Sequence, residues 1–413
     1  MNEAEAERYL RSLELFGMRF GLDRMRRLMT ALHHPERRFR SIHVVGTNGK
    51  SSTARMIAAI LTRQGLRTGA YLSPHLVSFG ERIRIDDHDL EPARFAAAVT
   101  RAARAAELVD RSAAEDDHVT QFEALTAAAY SELAEREVEV AVVEAGLGGR
   151  YDATNVIPST VQVLTSVGLE HTRWLGPTLA DIAGEKLAVV KPGGTLVLGA
   201  ELDPEVETIA ERVAAEQGAR IVRAGLDPGV GVGAPGAYQR KNFALARTAA
   251  EAFLGELDEA AVAAAAAEVR VPGRLQQIGT DPVTVLDGAH NPDGMRALVQ
   301  SLPEIAARHE RVVAVVSILD DKDAASMLRL LLPLCSEVVF TRTTSSRSLP
   351  PPTLQSLSAQ LDGPPAEVIR EPTRALERAR SLAGADGLVV ATGSLTLVAD
   401  LLAAAQRRNV RAL

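Results

Sequence analysis

Gly46, Thr47, Asn48, Gly49, Lys50, Ser51 and Ser52 follow the apolar run Ile42-His43-Val44-Val45 and precede a segment with helical spacing. Glycines lacking a Cβ expose backbone N–H groups at a helix N-terminus. Those groups, with the helix dipole, form a nest for anions. Lys50 adds a cation for the β- and γ-phosphates of a nucleotide, and Ser51 or Ser52 adds a hydroxyl for Mg²⁺. In the pattern G-x-x-x-x-G-K-[ST] the first glycine stands six residues before the lysine; Val44 occupies that place here. A glycine turn that merely joins strand to helix would explain the glycines but not the Lys-Ser-Ser that follows, so a short phosphate-binding loop is expected.

A second glycine cluster, "EAGLGGRYDATN" (144–155), also follows an apolar run. Gly146 and Gly148 invite a dinucleotide reading, but the third glycine of G-x-G-x-x-G falls at Tyr151, so that fingerprint fails. Glu144 closes the preceding strand, at the strand end where open α/β sheets place ligands. From the residues alone, His171 reads as a loop histidine next to Trp174, Lys186 as a helix lysine pairing with Asp181 or Glu185, and Phe122 as a core residue. "DGAHNP" reads as a helix start, with Pro292 at the first helical position. The single cysteine, Cys335, excludes an intrachain disulfide and a cysteine-based zinc cluster, and its apolar setting reads as burial.

The elements that must carry these residues alternate. A short strand running into the glycine loop is expected over 40–50, with further strands at 67–73, 139–149 (ending in glycines) and 160–168. Helices lie between them, notably 51–65 and most of 91–137 apart from a loop at 113–120; residues 4–32 have helical spacing. The pattern restarts with strands at 282–289, 311–318, 336–341 and 387–394, separated by helices at 293–307 and 322–334. Such alternation predicts parallel sheets covered on both faces. Residues 228–239 form the clearest long loop, and helix 258–268 running into "VRVPGRLQ" (269–276) marks a hinge. Two domains, 1–270 and 271–413, follow, since 413 residues exceed one ordinary core. The net charge of −7 gives no electrostatic footprint for nucleic acid or an anionic membrane. The acidic start "MNEAEAERYL" is no signal peptide, and no run reaches the about 18 apolar residues of a membrane span. A cytoplasmic, monomeric protein acting on small molecules is expected.

Beyond these readings, "HVVGTNGKSS", "YLSPHLVSFGERIRI", "TQFEALTAAAY", "VEAGLGGRYDATN", "VGLEHTRWLG", "IAGEKLAVVKPG", "YQRKNFALA", "PGRLQ", "LDGAHNPDG", "DDKD" and "ATGSLTLV" occur in this order over nearly the whole chain. The sequence resembles the folylpolyglutamate synthase/dihydrofolate synthase branch of the Mur-type ATP-dependent amide ligases, in which the short G-T-x-G-K loop is usual. The resemblance implies an N-terminal P-loop NTPase-like parallel-sheet domain of Mur-ligase central type and a smaller, Rossmann-like α/β C-terminal domain that binds glutamate. It implies an acyl-phosphate route: ATP phosphorylates a pteroate or folate carboxylate, and the amino group of glutamate then displaces phosphate. Residues 46–52 would bind ATP, with Asn242 at adenine, Arg274 at the phosphates and Asp287 at the nucleotide. Ser73, Glu144 and His171 would ligate Mg²⁺, with a second Mg²⁺ near a carbamylated Lys186 and a monovalent cation as a further companion. Lys50, Lys186, His171 and His290 would be the catalytic set. Phe122 and Asp152 would hold the pterin, and Ser394, with "SSRS" (345–348), would rim the glutamate site.

Three departures from the family pattern stand out: Ser51 where glycine is usual, Glu170 where aspartate is usual, and no glycine in "VSILDD" (316–321). Two other readings compete, namely a Mur-type ligase of another acid and amino acid, and a nucleotide-binding module without catalysis. "DATN" and "TQFE" argue against the first, and the retained Glu144, His171 and Lys186 against the second.

Overall fold

In a computed structural model of the protein, residues 1–13, 21–111 and 117–411 are described, and of these the side chains up to residue 407. The chain divides into two units: 1–233 with 240–269, and 234–239 with 270–413.

The first unit is built on a sheet of eight strands in the order β4-β3-β2-β5-β1-β6-β7-β8. These are β1 (Arg40–Val45), β2 (Thr68–Tyr71), β3 (Ile83–Ile85), β4 (His88–Asp89), β5 (Val140–Glu144), β6 (Val161–Leu164), β7 (Thr195–Leu198) and β8 (Arg220–Arg223). Only the β2–β3 and β3–β4 pairings are antiparallel. The central strands are Val-rich and buried along their length, as a parallel sheet covered on both faces requires. Helices Glu3–Ser12, Asp23–Ala31, Pro92–Asp110 and Gln121–Glu135 supply most of one apolar core, into which Tyr71, Ala141 and Val143 also pack. A second core joins Val45, Leu164 and Leu198 to helices Leu179–Leu187 and Pro204–Gln217.

The second unit carries a sheet in the order β13-β12-β11-β14-β10-β9. Its strands are β9 (Gln276–Thr280), β10 (Val283–Leu286), β11 (Val312–Val316), β12 (Glu337–Phe340), β13 (Ala366–Val368) and β14 (Leu388–Thr392). All pair in parallel except the edge strand β9. Helix Pro292–Ala306 starts with Asn291 as its N-cap and Pro292 in the first turn, as "DGAHNP" predicts.

Several sequence expectations change. The spacing over 4–32 resolves into two helices, with 14–20 outside the described residues, as is the 113–116 part of the expected 113–120 loop. The loop at 228–239 ends at Gly236 (φ +99°), because Ala237 already opens helix Ala237–Leu254. β9 lies in "QQIGT", whose polar residues suit a half-exposed edge strand but give no apolar signal.

Candidate active site

The phosphate-type loop lies where β1 ends. Gly46 has φ +152°, and a Cβ there would come within 1.9 Å of Thr165 Oγ1. The loop backbone is stitched to the end of the neighbouring strand β6. Thr47 N–H donates to the Ser166 carbonyl (2.8 Å) and Asn48 N–H to Ser166 Oγ (2.9 Å). In return, the Thr165 hydroxyl donates to the Asn48 carbonyl (2.6 Å). Gly49, at φ +85°, caps helix Lys50–Arg63, and a Cβ there would meet Asn242 Oδ1 at 2.7 Å. The Lys50 ammonium folds back over its own loop, donating to the carbonyls of Gly46 (3.0 Å) and Thr47 (3.1 Å). Gly46→Ala is accordingly expected to cost about 1–3 kcal/mol in strain and overpacking. A nucleotide-binding titration and a thermal melt on the same variant check it, with both affinity and midpoint falling.

β5 lies beside β1 in register, with Glu144 opposite Val44. The Glu144 carboxylate is 1% exposed. It accepts the Ser51 hydroxyl (2.8 Å) and the Ser73 N–H (2.9 Å), the latter directly after β2. Ser52, by contrast, is buried beneath the loop. His171, at φ +54°, precedes the short helix Thr172–Leu175, and its Nε2 stands 3.9 Å from Glu170 Oε1. Among the described residues no group of three or more His, Cys, Asp or Glu side chains is arranged to hold a metal ion.

Lys186 projects from helix Leu179–Leu187, is 4% exposed, and donates to the Gly46 carbonyl at 2.8 Å. The same carbonyl therefore receives two ammonium groups. Burial first, and the Lys50 charge second, lower the Lys186 pKa to about 7. Gly149 lets the 146–150 loop sit on this helix, since a Cβ there would meet the Lys186 carbonyl at 2.7 Å.

Phe122, half-buried in the first turn of helix Gln121–Glu135, lies against Gly146 and 6.2 Å from the Tyr71 ring, centroid to centroid. Asp152 is buried and organises its own loop. Its carboxylate accepts the N–H groups of Leu147 (2.7 Å) and Thr154 (3.0 Å), and the Thr154 hydroxyl. Burial raises its pKa against those hydrogen bonds. Thr154 in turn contacts Nε2 of fully buried His43 (2.8 Å), whose pKa burial pushes down to about 3. With its hydroxyl proton directed at Asp152, Thr154 accepts from a neutral His43.

In the second unit, Asp287 follows β10 and accepts the Tyr238 hydroxyl (2.7 Å), Leu275 N–H (3.0 Å) and Ala289 N–H (2.9 Å). Arg274 lies against Gly288, where a Cβ would come within 2.3 Å of its Nη1. His290 Nδ1 donates to the Gly288 carbonyl at 2.8 Å. Ser394 is fully buried, and its Oγ accepts Leu397 N–H (3.1 Å) at the start of helix Leu395–Arg411, so its hydroxyl oxygen serves as a helix cap. Ser348, from "SSRS", is buried against Ser317 (3.0 Å).

Sequence reasoning missed the Thr165–Ser166 pair, His43 with Thr154, and Tyr238 on Asp287. The first had a signal, since "LTSVG" puts hydroxyls at the C-terminal end of a strand neighbouring the glycine loop.

Two family models match the chain: the Mur ligase middle domain over residues 44–232, and the Mur ligase glutamate ligase domain over 273–395. A dihydrofolate synthase/folylpolyglutamate synthase of Mycobacterium tuberculosis is 36% identical over 383 residues, covering 83% of this chain and 78% of the relative. A folylpolyglutamate synthase of Lacticaseibacillus casei is 34% identical, covering 85% and 88%. Among solved structures, M. tuberculosis folylpolyglutamate synthase complexed with ADP superposes with a TM-score of 0.90 at 32% identity, covering 98% of each chain. E. coli FolC in complex with DHPP and ADP gives 0.87 at 28%, covering 99% of each.

Proposed function

This chain belongs to the dihydrofolate synthase/folylpolyglutamate synthase family of Mur-type ligases, and on that footing we propose how it works as an ATP-dependent acid–amino-acid ligase. It joins L-glutamate to the carboxylate of dihydropteroate, of a (poly)glutamyl tetrahydrofolate, or of both. A carboxylate oxygen attacks the γ-phosphorus of ATP, the bond to the β-phosphate oxygen breaks, and ADP leaves. The neutral amine of glutamate then attacks the acyl carbon, phosphate leaves with the bonding electrons, and the amine loses its proton. The observation that carries this reading is the meeting of Lys50, Ser51 and Glu144 at the ends of two adjacent parallel strands, one bearing the anion nest and the other a buried carboxylate.

Phosphoryl transfer needs alignment and charge neutralisation more than a protein nucleophile. Residues 46–52 would cradle the phosphates, with Lys50 swinging from its own loop carbonyls to the γ-phosphate. Asn242, packed on Gly49, would meet adenine, and Arg274 and Asp287 would have nucleotide-binding roles. Glu144, Ser73 and Ser51 supply hard oxygen donors of the kind Mg²⁺ prefers, with His171 as a further ligand, and Mg²⁺ held there would supply charge neutralisation and alignment of the phosphates. His290 and Ser394 belong to the proposed glutamate side. Ser394, already committed to a helix cap, is the weaker of the two.

Phe122 and Asp152 would receive the pterin, by stacking and by hydrogen bonding. Gly146→Ala is expected to raise KM for the pteroate or folate about tenfold or more, because its methyl would meet three Phe122 ring atoms at 2.6–3.1 Å and misplace the ring. KM for ATP should hold; steady-state kinetics in both substrates decide.

The test of function is purified protein with ATP, Mg²⁺ and L-glutamate, offered dihydropteroate or tetrahydrofolate separately. ADP release with either, dependent on glutamate, supports the proposal and assigns the acid substrate. ADP release with neither defeats it.

A further inference from the structure

One cation beside this site has no role in the scheme above. Arg82 ends the short helix Phe79–Arg82, directly before β3, and its main-chain carbonyl accepts the Leu72 N–H at 2.8 Å. That bond sets it next to Ser73, whose own N–H is on the Glu144 carboxylate. The guanidinium is half-buried and held in place. Its Nε donates to His75 Nδ1 at 3.0 Å, and its carbon lies 5.5 Å from the Phe79 ring centroid. His75 stacks on the same ring, with centroids 4.2 Å apart. Because Arg82 Nε donates, His75 Nδ1 acts as the acceptor, and an imidazole offers Arg82 no counter-charge.

The neighbouring acids are spent elsewhere. Glu81 turns its carboxylate onto the N–H groups of Leu76, Val77 and Ser78, each at 2.8 Å. Glu144 faces Ser51 and Ser73, and its charge is felt at Arg82. Among the described residues, Arg82 makes no ion pair. A fixed, partly desolvated guanidinium without a counter-ion is costly in a finished protein, unless an anion arrives to complete it. Nε is on His75 and the guanidinium also hydrogen-bonds the uncharged Tyr71 hydroxyl, so the N–H groups of the fork that remain suit a carboxylate.

We propose that Arg82 binds the carboxylate of the pteroate substrate, holding the oxygen that is to be phosphorylated beside Ser73 and Glu144. This rests on the ligase reading above and adds the group that recognises the acid. Neither the glycine loop nor the pterin-contacting residues supply a cation for that purpose.

The test is equilibrium binding of dihydropteroate and of its neutral carboxamide, each in the presence of a non-hydrolysable ATP analogue. The unsubstituted protein is expected to bind the acid at least about tenfold more tightly than the amide, the yield of a charge-assisted bond over a neutral one. In Arg82→Gln the acid should lose that advantage, while affinity for the amide and for the nucleotide stays unchanged. Arg82→Lys, which keeps the charge and loses the fork, should fall between, and it carries the test if Arg82→Gln no longer binds nucleotide. Unchanged discrimination in Arg82→Gln, or in Arg82→Lys if that variant carries the test, overturns the proposal; so does an equal loss for acid and amide, which marks a purely structural role. Failure of the unsubstituted protein to bind either compound would instead count against the ligase reading itself.

Discussion

Lys50→Ala is expected to lower glutamate-dependent ADP release by about 10³-fold or more, the scale seen when a principal charge on a transferring phosphoryl group is removed. Lys50 is the first residue of its helix, and its ammonium rests on two carbonyls of the loop it would serve. Lys186 does not substitute readily, because it is committed to the Gly46 carbonyl and is partly neutral near pH 7. Stability should change little, since removing Lys50 also relieves its repulsion with Lys186. Single-turnover ADP formation, with a thermal melt as control, checks both halves. A variant that kept full activity would remove the phosphate loop from the mechanism.

The second large effect concerns Lys186. An amine with a pKa of about 7 is partly neutral at neutral pH, which is the condition for adding CO₂. In the proposed carbamylation the neutral nitrogen would bond to the carbon of CO₂, lose a proton and leave a carbamate anion in place of the ammonium. We expect Lys186→Met to lower kcat by about 10²-fold or more, as loss of a charged group in such a site does. Intact mass under bicarbonate should show one added CO₂ on the unsubstituted protein and none on the variant; an unmodified lysine would remove the carbamate.

The pH behaviour has a definite sign. Burial lowers the native pKa to about 7, whereas the unfolded chain has the ordinary value of 10.5. Between these values the unfolded state holds a proton that the native state has released, so stability rises with pH across that window. Below about pH 7 the full penalty of a buried cation is present. Lys186→Met should therefore melt higher than the unsubstituted protein at pH 6, by a margin that shrinks as pH rises.

Much of this was legible beforehand, for physical reasons. β1 and β5 announce themselves as Val-rich runs because both faces of a parallel sheet are buried, and glycines at their ends mark where the backbone must turn or approach a ligand. Val44 in place of the first glycine is a strand residue, fully buried and paired with both neighbours, so the short loop starts only at Gly46. Ser51, the departure from the family pattern, turns out to be a hydroxyl placed on Glu144. That contact joins residues 93 apart in sequence, and no local pattern reports it. Arg82 was hidden for the same reason: an arginine in "GERIRI" looks like a solvated charge until the fold shows its neighbours' acids engaged elsewhere. β7, four residues long after Pro-Gly-Gly, and β8, four residues long in alanine-rich surroundings, are too short to stand out, although β7 is buried and β8 is a partly exposed edge.

The most direct test is to give the purified protein ATP, Mg²⁺, L-glutamate and dihydropteroate labelled with heavy oxygen in its carboxylate, then analyse products by mass. The account predicts an amide one glutamate longer, ADP in equal amount, and one labelled oxygen carried into the released phosphate. ADP formed without the amide, or phosphate free of label, would contradict it.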